Sequence, residues 1–396
     1  MSYLFAHPGQ RFFVLIVADL AELADREVFG AEPFEPVMLS EIGLRDLRVE
    51  AMKYDILELN TNVKPTFLRF LVGRHNVEQL IYLDPDIFVY RELTPVFDAL
   101  DAGATSVLTP HLTAPITDDR LPSEQDMLYN GTYNLGFFAV RQCDESGRLL
   151  CWWEERCLEL GFSEGRTGLF VDQKWMNLAP GLFDGVTTLR DPGCNMAYWN
   201  LHERSLREVE DGYRVVSRMG EAVLCFFHFS GVVVDDPEML SKNTNRFTLA
   251  ERPDLQLLFE RYKGLVRANR REASDKLAYG FDRFSDGTVV TRLARRIYAK
   301  HAHRWPGQDP FNAAGEFATF AKRLGLVAGK AAAPKSTWKE FDPRDRRVRI
   351  VHKLLKAALR ILGPNRYELL MRYLAFISVL RNQSVFLDDV RRRRTW

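Results

Sequence analysis

Hydrophobic and polar positions fall into short blocks whose spacing changes along the chain. An apolar run from Phe12 to Ala18 in "RFFVLIVADL" stops at Asp19, as a parallel strand buried on both faces would. Helix-like spacing leads from there to a second β-rich run, Gln79 to Leu83, inside "LIYLDPDIFVY". "TSVLTP" and "GFFAVR" read as further short strands, and "CWWEERCLEL" as a helix with Trp and Leu on one side. This alternation predicts an α/β sheet. From about Pro253 the texture shifts to helical segments dense in Arg and Lys, with "GQDPF" and "GKAAAPKST" as turn or linker signals. Boundaries are therefore expected near 250 and 340: an α/β domain over 1–250, a helical accessory region over 251–340, and a basic amphipathic helical tail over 341–396.

One strand carries chemistry that a buried strand does not need. "LDPD" sets two carboxylates around a proline that removes a backbone donor and ends the ladder. Residues i and i+2 of a strand share a side, so Asp84 and Asp86 converge, and their repulsion is best relieved by a divalent cation of the oxygen-loving kind, Mg²⁺ or Mn²⁺. The strand's carboxyl end is also where open α/β sheets bind ligands. The alternative reading is a turn or helix cap at Asp84 with a solvated Asp86.

"IYLDPDIFVY" resembles the D-x-D segment of GT-A glycosyltransferases, and its setting is similar to the bacterial branch related to glycosyltransferase family 8. "ELNTNVKPTFLRFL" before it resembles the same group, as do "YNLGFFAVR", "FVDQKWMNLAPGLF", "DPGCNMAYWNLHER" and "FFHFSG" after it, in matching order along residues 11 to 231. The resemblance implies a GT-A, Rossmann-like domain and a retaining hexosyltransferase. It implies a metal, Mn²⁺ or Mg²⁺, held by Asp84, Asp86 and His228, and a nucleotide-sugar donor, UDP-linked foremost. It also points Asp172 at the sugar hydroxyls and Gln173 at the reacting face. The group's pattern continues from the histidine to a Lys-Pro-Trp that touches the phosphates; here the chain runs "VVVDDPEMLSKNTNRF", where Lys242 or Arg246 could substitute.

Each of these positions has a second reading in its residues alone. His228 among aromatics can be a core histidine. Asp19 can accept from a base or ribose, or cap "LAELADRE". Lys64, before Pro65 at a helix start, can face phosphate beside the helix N-terminus or stay solvated. Asn134 and Gly136 offer a donor, an acceptor and close backbone approach, or simply a tight turn. Asp172 can be a helix N-cap.

Composition narrows the classes. The 396 residues are 46% hydrophobic and 27% charged, a globular profile. Five cysteines without a CxxC pair and no charged-then-apolar leader suggest a reducing, cytoplasmic setting. No uncharged apolar stretch approaches the roughly 18 residues of a membrane span. No P-loop, GxGxxG or HExxH is present. The net charge of +1 conceals a tail, residues 344–396, with fourteen Lys/Arg against four Asp/Glu, which is +10 and leaves 1 − 10 = −9 elsewhere. Within it, apolar positions 351, 354, 355, 358, 359 and 362 recur at helical spacing, with Arg346, Arg349, Lys353, Lys356 and Arg360 on other faces. That helix either packs on the protein or contacts anionic lipid, where a lipid-linked acceptor would be met; nucleic acid is not expected. The expected activity is transfer of a sugar to a hydroxyl of a glycan or lipid-linked acceptor, in surface or secreted polysaccharide synthesis. A sugar-phosphate nucleotidyltransferase or a carbohydrate-binding protein with a decayed site are the competing readings.

Overall fold

The computed structural model describes residues 2–19, 29, 32–270, 279–329 and 345–383. The "LAELADRE" segment, most of "GKAAAPKST" and the terminal "RRRR" lie outside them. The chain forms two compact units, one of residues 1–45 and 57–279, the other of residues 46–56 and 280–396.

The first unit is mixed α/β. The strands used below are β1 (Phe13–Ile16), β2 (Glu35–Met38), β3 (Gln79–Leu83), β4 (Ile87–Val89), β5 (Ser106–Leu108), β6 (Phe137–Arg141), β7 (Val186–Thr188), β8 (Met196–Ala197), β9 (Arg204–Val209), β10 (Gly212–Ser217), β11 (Gly220–Val223) and β12 (Phe226–His228). The helices used below are α1 (Leu47–Lys53), α2 (Lys64–His75), α3 (Glu124–Asn130), α4 (Asp144–Leu160), α5 (Pro253–Ala268), α6 (Arg292–His301), α7 (Glu316–Arg323) and α8 (Arg346–Ser378). One sheet has the order β3-β6-β5-β7 and a second the order β8-β12-β4. In the first, β5 and β7 are parallel while β6 runs antiparallel to both β3 and β5. The carboxyl ends of β3, β5 and β7 therefore share one edge, and the residues entering β6 arrive at that same edge.

Strand β6 shows why "GFFAV" is so apolar. Phe137 and Ala139 join a core with Ile87, Val107 and Phe226, while Phe138 and Val140 join another with Leu68, Leu149 and Trp153 of α2 and α4. A strand covered on both faces has no side to give to polar residues. By contrast β1, read as buried on both faces, is only half-buried in its parallel pairing with β2.

Two features of the organisation differ from the sequence expectation. Helix α5 belongs with the first unit, because Leu255, Leu258 and Phe259 share one core with Leu206 and Val215 of the β9–β10 hairpin and with Phe227 and Phe229. The chain thus divides after Tyr279, beyond the expected 250. The second unit also recruits α1: the buried Arg295 of α6 donates to the carbonyls of Ala51 and Tyr54, both at 2.8 Å, and Arg48 pairs with Asp309 at 2.7 Å. A buried guanidinium must spend its donors on carbonyls, and this one ties α1 to residues more than two hundred positions away. Among the described residues no helix is long and apolar enough to cross a membrane.

Candidate functional site

Asp84, Pro85 and Asp86 are not the end of one strand but the turn between β3 and β4, where the chain passes from one sheet to the other. The turn is closed by Ile87 N–H donating to Asp84 O at 3.0 Å. The carboxylates still converge, through the turn rather than through a strand's two-residue period. Register supplies the third group: β12 pairs antiparallel with β4 so that His228 stands opposite Ile87, and Phe229 N–H donates to Asp86 O at 2.9 Å. A ligand atom from each of Asp84, Asp86 and His228 lies within 4.8 Å of the others.

The donor set fits a hard divalent cation, and the hydrogen bonds behind it explain how. His228 Nδ1 lies 3.0 Å from Asn134 Oδ1, which is an acceptor, so Nδ1 carries the proton. Asn195 Nδ2 also donates to that oxygen, at 3.4 Å. Asn134 Nδ2 lies 3.4 Å from His111 Nε2, and His111 Nδ1 lies 3.3 Å from Thr132 O. Burial pushes the His111 imidazole down to about 4, so this ring is neutral, donating from Nδ1 and accepting at Nε2. The chain Thr132–His111–Asn134–His228 is self-consistent only with His228 protonated on Nδ1. Its Nε2 faces Asp86 Oδ1 at 2.9 Å, a distance at which either a proton on Nε2 or a cation must lie between the two atoms. Burial works to raise the Asp86 carboxyl, but the His228 hydrogen bond and charge outweigh it and hold Asp86 below its ordinary value.

Asp84 is positioned from its own strand. Tyr82, two residues earlier, donates its hydroxyl to Asp84 Oδ1 at 2.7 Å; burial first, and then the Asp84 charge, hold the phenol well above its ordinary value, so it stays a donor. Gly136 closes the back of the site. A β-carbon there would stand 2.4 Å from His228 Cε1 and 3.0 Å from Asn134 Oδ1.

Lys64 is neither solvated nor facing open phosphate. It opens α2 as expected, but it is 3% exposed, and its ammonium pairs with Asp172 at 2.7 Å, donates to Leu135 O at 2.6 Å and lies 3.9 Å from Asp84. Burial opposes its charge, while Asp172 and Asp84 outweigh burial and hold Lys64 above its ordinary value. Asp172 is buried and is not an N-cap: the 3₁₀ turn Lys174–Asn177 that follows has Gln173 in the cap position with no side-chain cap. Instead Asp172 neutralises Lys64, and its carbonyl accepts from Trp153 Nε1 at 3.0 Å. Gln173 spends its amide on the main chain, accepting from Leu135 N–H at 3.0 Å and donating to Asn130 O at 3.1 Å. Just before this pair the β-branched Val171 sits at φ 42°, and Asn195 at φ 58°; non-glycine residues take such angles where the surroundings impose them.

Six of the expected residues, Lys64, Asn134, Gly136, Asp172, Gln173 and His228, thus join Asp84 and Asp86 in one contact network. Asp19 is half-buried three residues beyond β1, with its N–H on Tyr279 O at 3.0 Å. Of the two candidate phosphate cations, Arg246 is committed elsewhere: it is buried, bidentate on Asp118 at 2.9 and 3.0 Å, and donates to Pro122 O at 2.7 Å. Lys242 is exposed, and its N–H donates to Gly231 O at 3.0 Å, three residues from His228. His111, Asn195 and Tyr82 are supports that sequence reasoning missed. Tyr82 was legible as the i−2 neighbour of Asp84; His111 carried only the signal of a histidine just past a strand end.

No family model matches the chain. Over 208 residues it is 31% identical to the uncharacterized protein YfnF of Bacillus subtilis (strain 168), an alignment covering 51% of this chain and 64% of that protein. Over 233 residues it is 24% identical to the uncharacterized protein YfnD of the same organism, covering 57% of this chain and 69% of the relative. The chain therefore spans slightly under two thirds of the first of these relatives.

Proposed function

We propose that this protein is a metal-dependent glycosyltransferase of the GT-A type, using a nucleotide-sugar as donor and a glycan or lipid-linked hydroxyl as acceptor. The observation that carries the reading is the convergence of Asp84, Asp86 and His228 at the seam of two sheets, on the strand-end edge where α/β proteins bind ligands. Asp84, Asp86 and His228 would hold Mn²⁺ or Mg²⁺, which when bound offsets the negative charge that grows on a departing nucleoside diphosphate.

The chain's own residues supply the rest. Tyr82 and the His111–Asn134 relay orient the ligands before a cation arrives. Lys64 keeps Asp172 and Asp84 from repelling one another in the same small volume. No side chain in the network is a free nucleophile: Asp172 is paired with Lys64 and the Gln173 amide is bonded at both ends. That agrees with a retaining reaction on one face of the donor sugar and equally with an inverting one; the anomeric configuration of the product distinguishes them.

The test is to titrate the protein with Mn²⁺ and incubate it with a panel of nucleotide-sugars, following metal-dependent hydrolysis of the donor. Release of nucleoside diphosphate from one donor supports the transferase. Pyrophosphate-forming exchange with a nucleoside triphosphate and a sugar phosphate would establish the nucleotidyltransferase instead. Metal binding without turnover of any donor would favour a sugar-binding protein.

A further inference from the structure

Helix α8 has no buried residue along its 33 positions. Helices of a folded unit ordinarily bury an apolar stripe, and this one has such a stripe. Leu354, Ile361 and Leu369 are 64%, 82% and 68% exposed, and Ile350, Val351, Tyr373 and Phe376 are exposed too. The helix breaks at Gly363, φ 71°, just before Pro364, so residues 346–362 form a separate straight segment.

Beyond its first turn the faces of that segment divide. At about 100° per residue, Arg346, Arg349, Lys353, Lys356 and Arg360 fall within an arc of about 80°, while Ile350, Val351, Leu354, Leu355 and Ile361 occupy an adjoining arc of about 140°, entered by one charge, Arg347 in the first turn, which pairs with Asp345. None of these five cations pairs with a carboxylate among the described residues, and the ion pairs that α8 does show are local, Arg347 with Asp345 and Arg372 with Glu368. Residues 346–378 hold eight Lys/Arg against one Glu. An intramolecular docking role would leave buried leucines and long-range ion pairs along α8, and neither is present among the described residues. A second copy of the same helix would bring two basic stripes together. An anionic surface with an apolar layer beneath satisfies both stripes at once.

We propose that residues 346–362 lie in the plane of an anionic lipid bilayer, with the basic arc at the headgroups and the adjoining apolar arc in the acyl boundary. The inference is independent of the transferase reading, since it uses no residue of the metal site.

The experiment is co-sedimentation of the whole chain with vesicles of phosphatidylcholine alone or mixed with phosphatidylglycerol, at low and high salt. The wild type binds the anionic vesicles at low salt, releases as salt rises, and leaves neutral vesicles largely unbound. K353E/K356E/R360E loses at least about a hundredfold in vesicle affinity, at about fivefold per basic group, with an unchanged melting temperature. L354N/I361N also loses binding, and it stays monomeric by light scattering, as the wild type does. Absence of wild-type binding, equal binding to both vesicle types, or full retention by the triple variant overturns the proposal. So does a lipid-free dimer that L354N/I361N dissociates, which would make the apolar face a contact between copies.

Discussion

Gly136→Ala tests the candidate metal site through one methyl group. The new β-carbon would stand 2.4 Å from His228 Cε1, 2.9 Å from His228 Nδ1 and 3.0 Å from Asn134 Oδ1. Relaxing the shortest contact to an ordinary 3.4 Å requires a shift of about 3.4 − 2.4 = 1.0 Å. The imidazole is buried and packed edge-on against Trp199, with ring centroids 5.1 Å apart, so the shift cannot be absorbed by solvent. An ångström at the ring breaks the 3.0 Å bond to Asn134 that fixes the tautomer and misaims Nε2, now 2.9 Å from Asp86. The backbone at 136 is not in the left-handed region, so the cost is steric: about 1–3 kcal/mol of stability for overpacking and about 10- to 100-fold in metal affinity for a mispositioned ligand. Isothermal titration with Mn²⁺ and a thermal melt measure the two separately. A Gly136→Ala protein that binds Mn²⁺ as tightly as the wild type would show that His228 is not a ligand.

The other substitutions separate charge from shape. Asp86→Asn keeps a hydrogen-bonding partner for His228 and should leave the melt nearly unchanged while abolishing Mn²⁺ binding; a variant that still binds would remove Asp86 from the ligand set. Lys64→Met strands the buried Asp172 carboxylate and should cost about 3–5 kcal/mol, with much of the loss recovered in Lys64→Met/Asp172→Asn; denaturant unfolding of the three proteins decides, and additive losses would refute the pairing. For pH, the His111 imidazole falls from 6.5 to about 4 on folding, so the folded state disfavours its proton. That contribution, about 3 kcal/mol, is whole above about pH 6.5 and is lost as pH falls towards 4. His111→Asn should flatten the slope of stability between those values, and an unaltered slope would contradict the neutral, relay-bound ring.

The β-rich runs, the helix opening at Lys64 and the D-x-D carboxylates were legible because each is written in a few consecutive residues, through hydrophobic period, proline placement and paired charge. Strands β3, β5 and β6 fall inside the stretches that their composition marks out. The amphipathic tail was equally plain, since helical spacing is local. What local pattern does not contain is the partner of each polar group. Lys64 looks like a phosphate cation until tertiary folding buries it 2.7 Å from Asp172, more than a hundred residues away, and in a low-dielectric interior that pairing decides its role. Asp86 meets His228 only because β12 pairs with β4 in one register, and a one-residue slip would turn the imidazole to the opposite face. The unit boundary was hidden for the same reason: the apolar stripe of α5 is visible in the sequence, but only packing against Leu206, Val215 and Phe227 determines which core it completes.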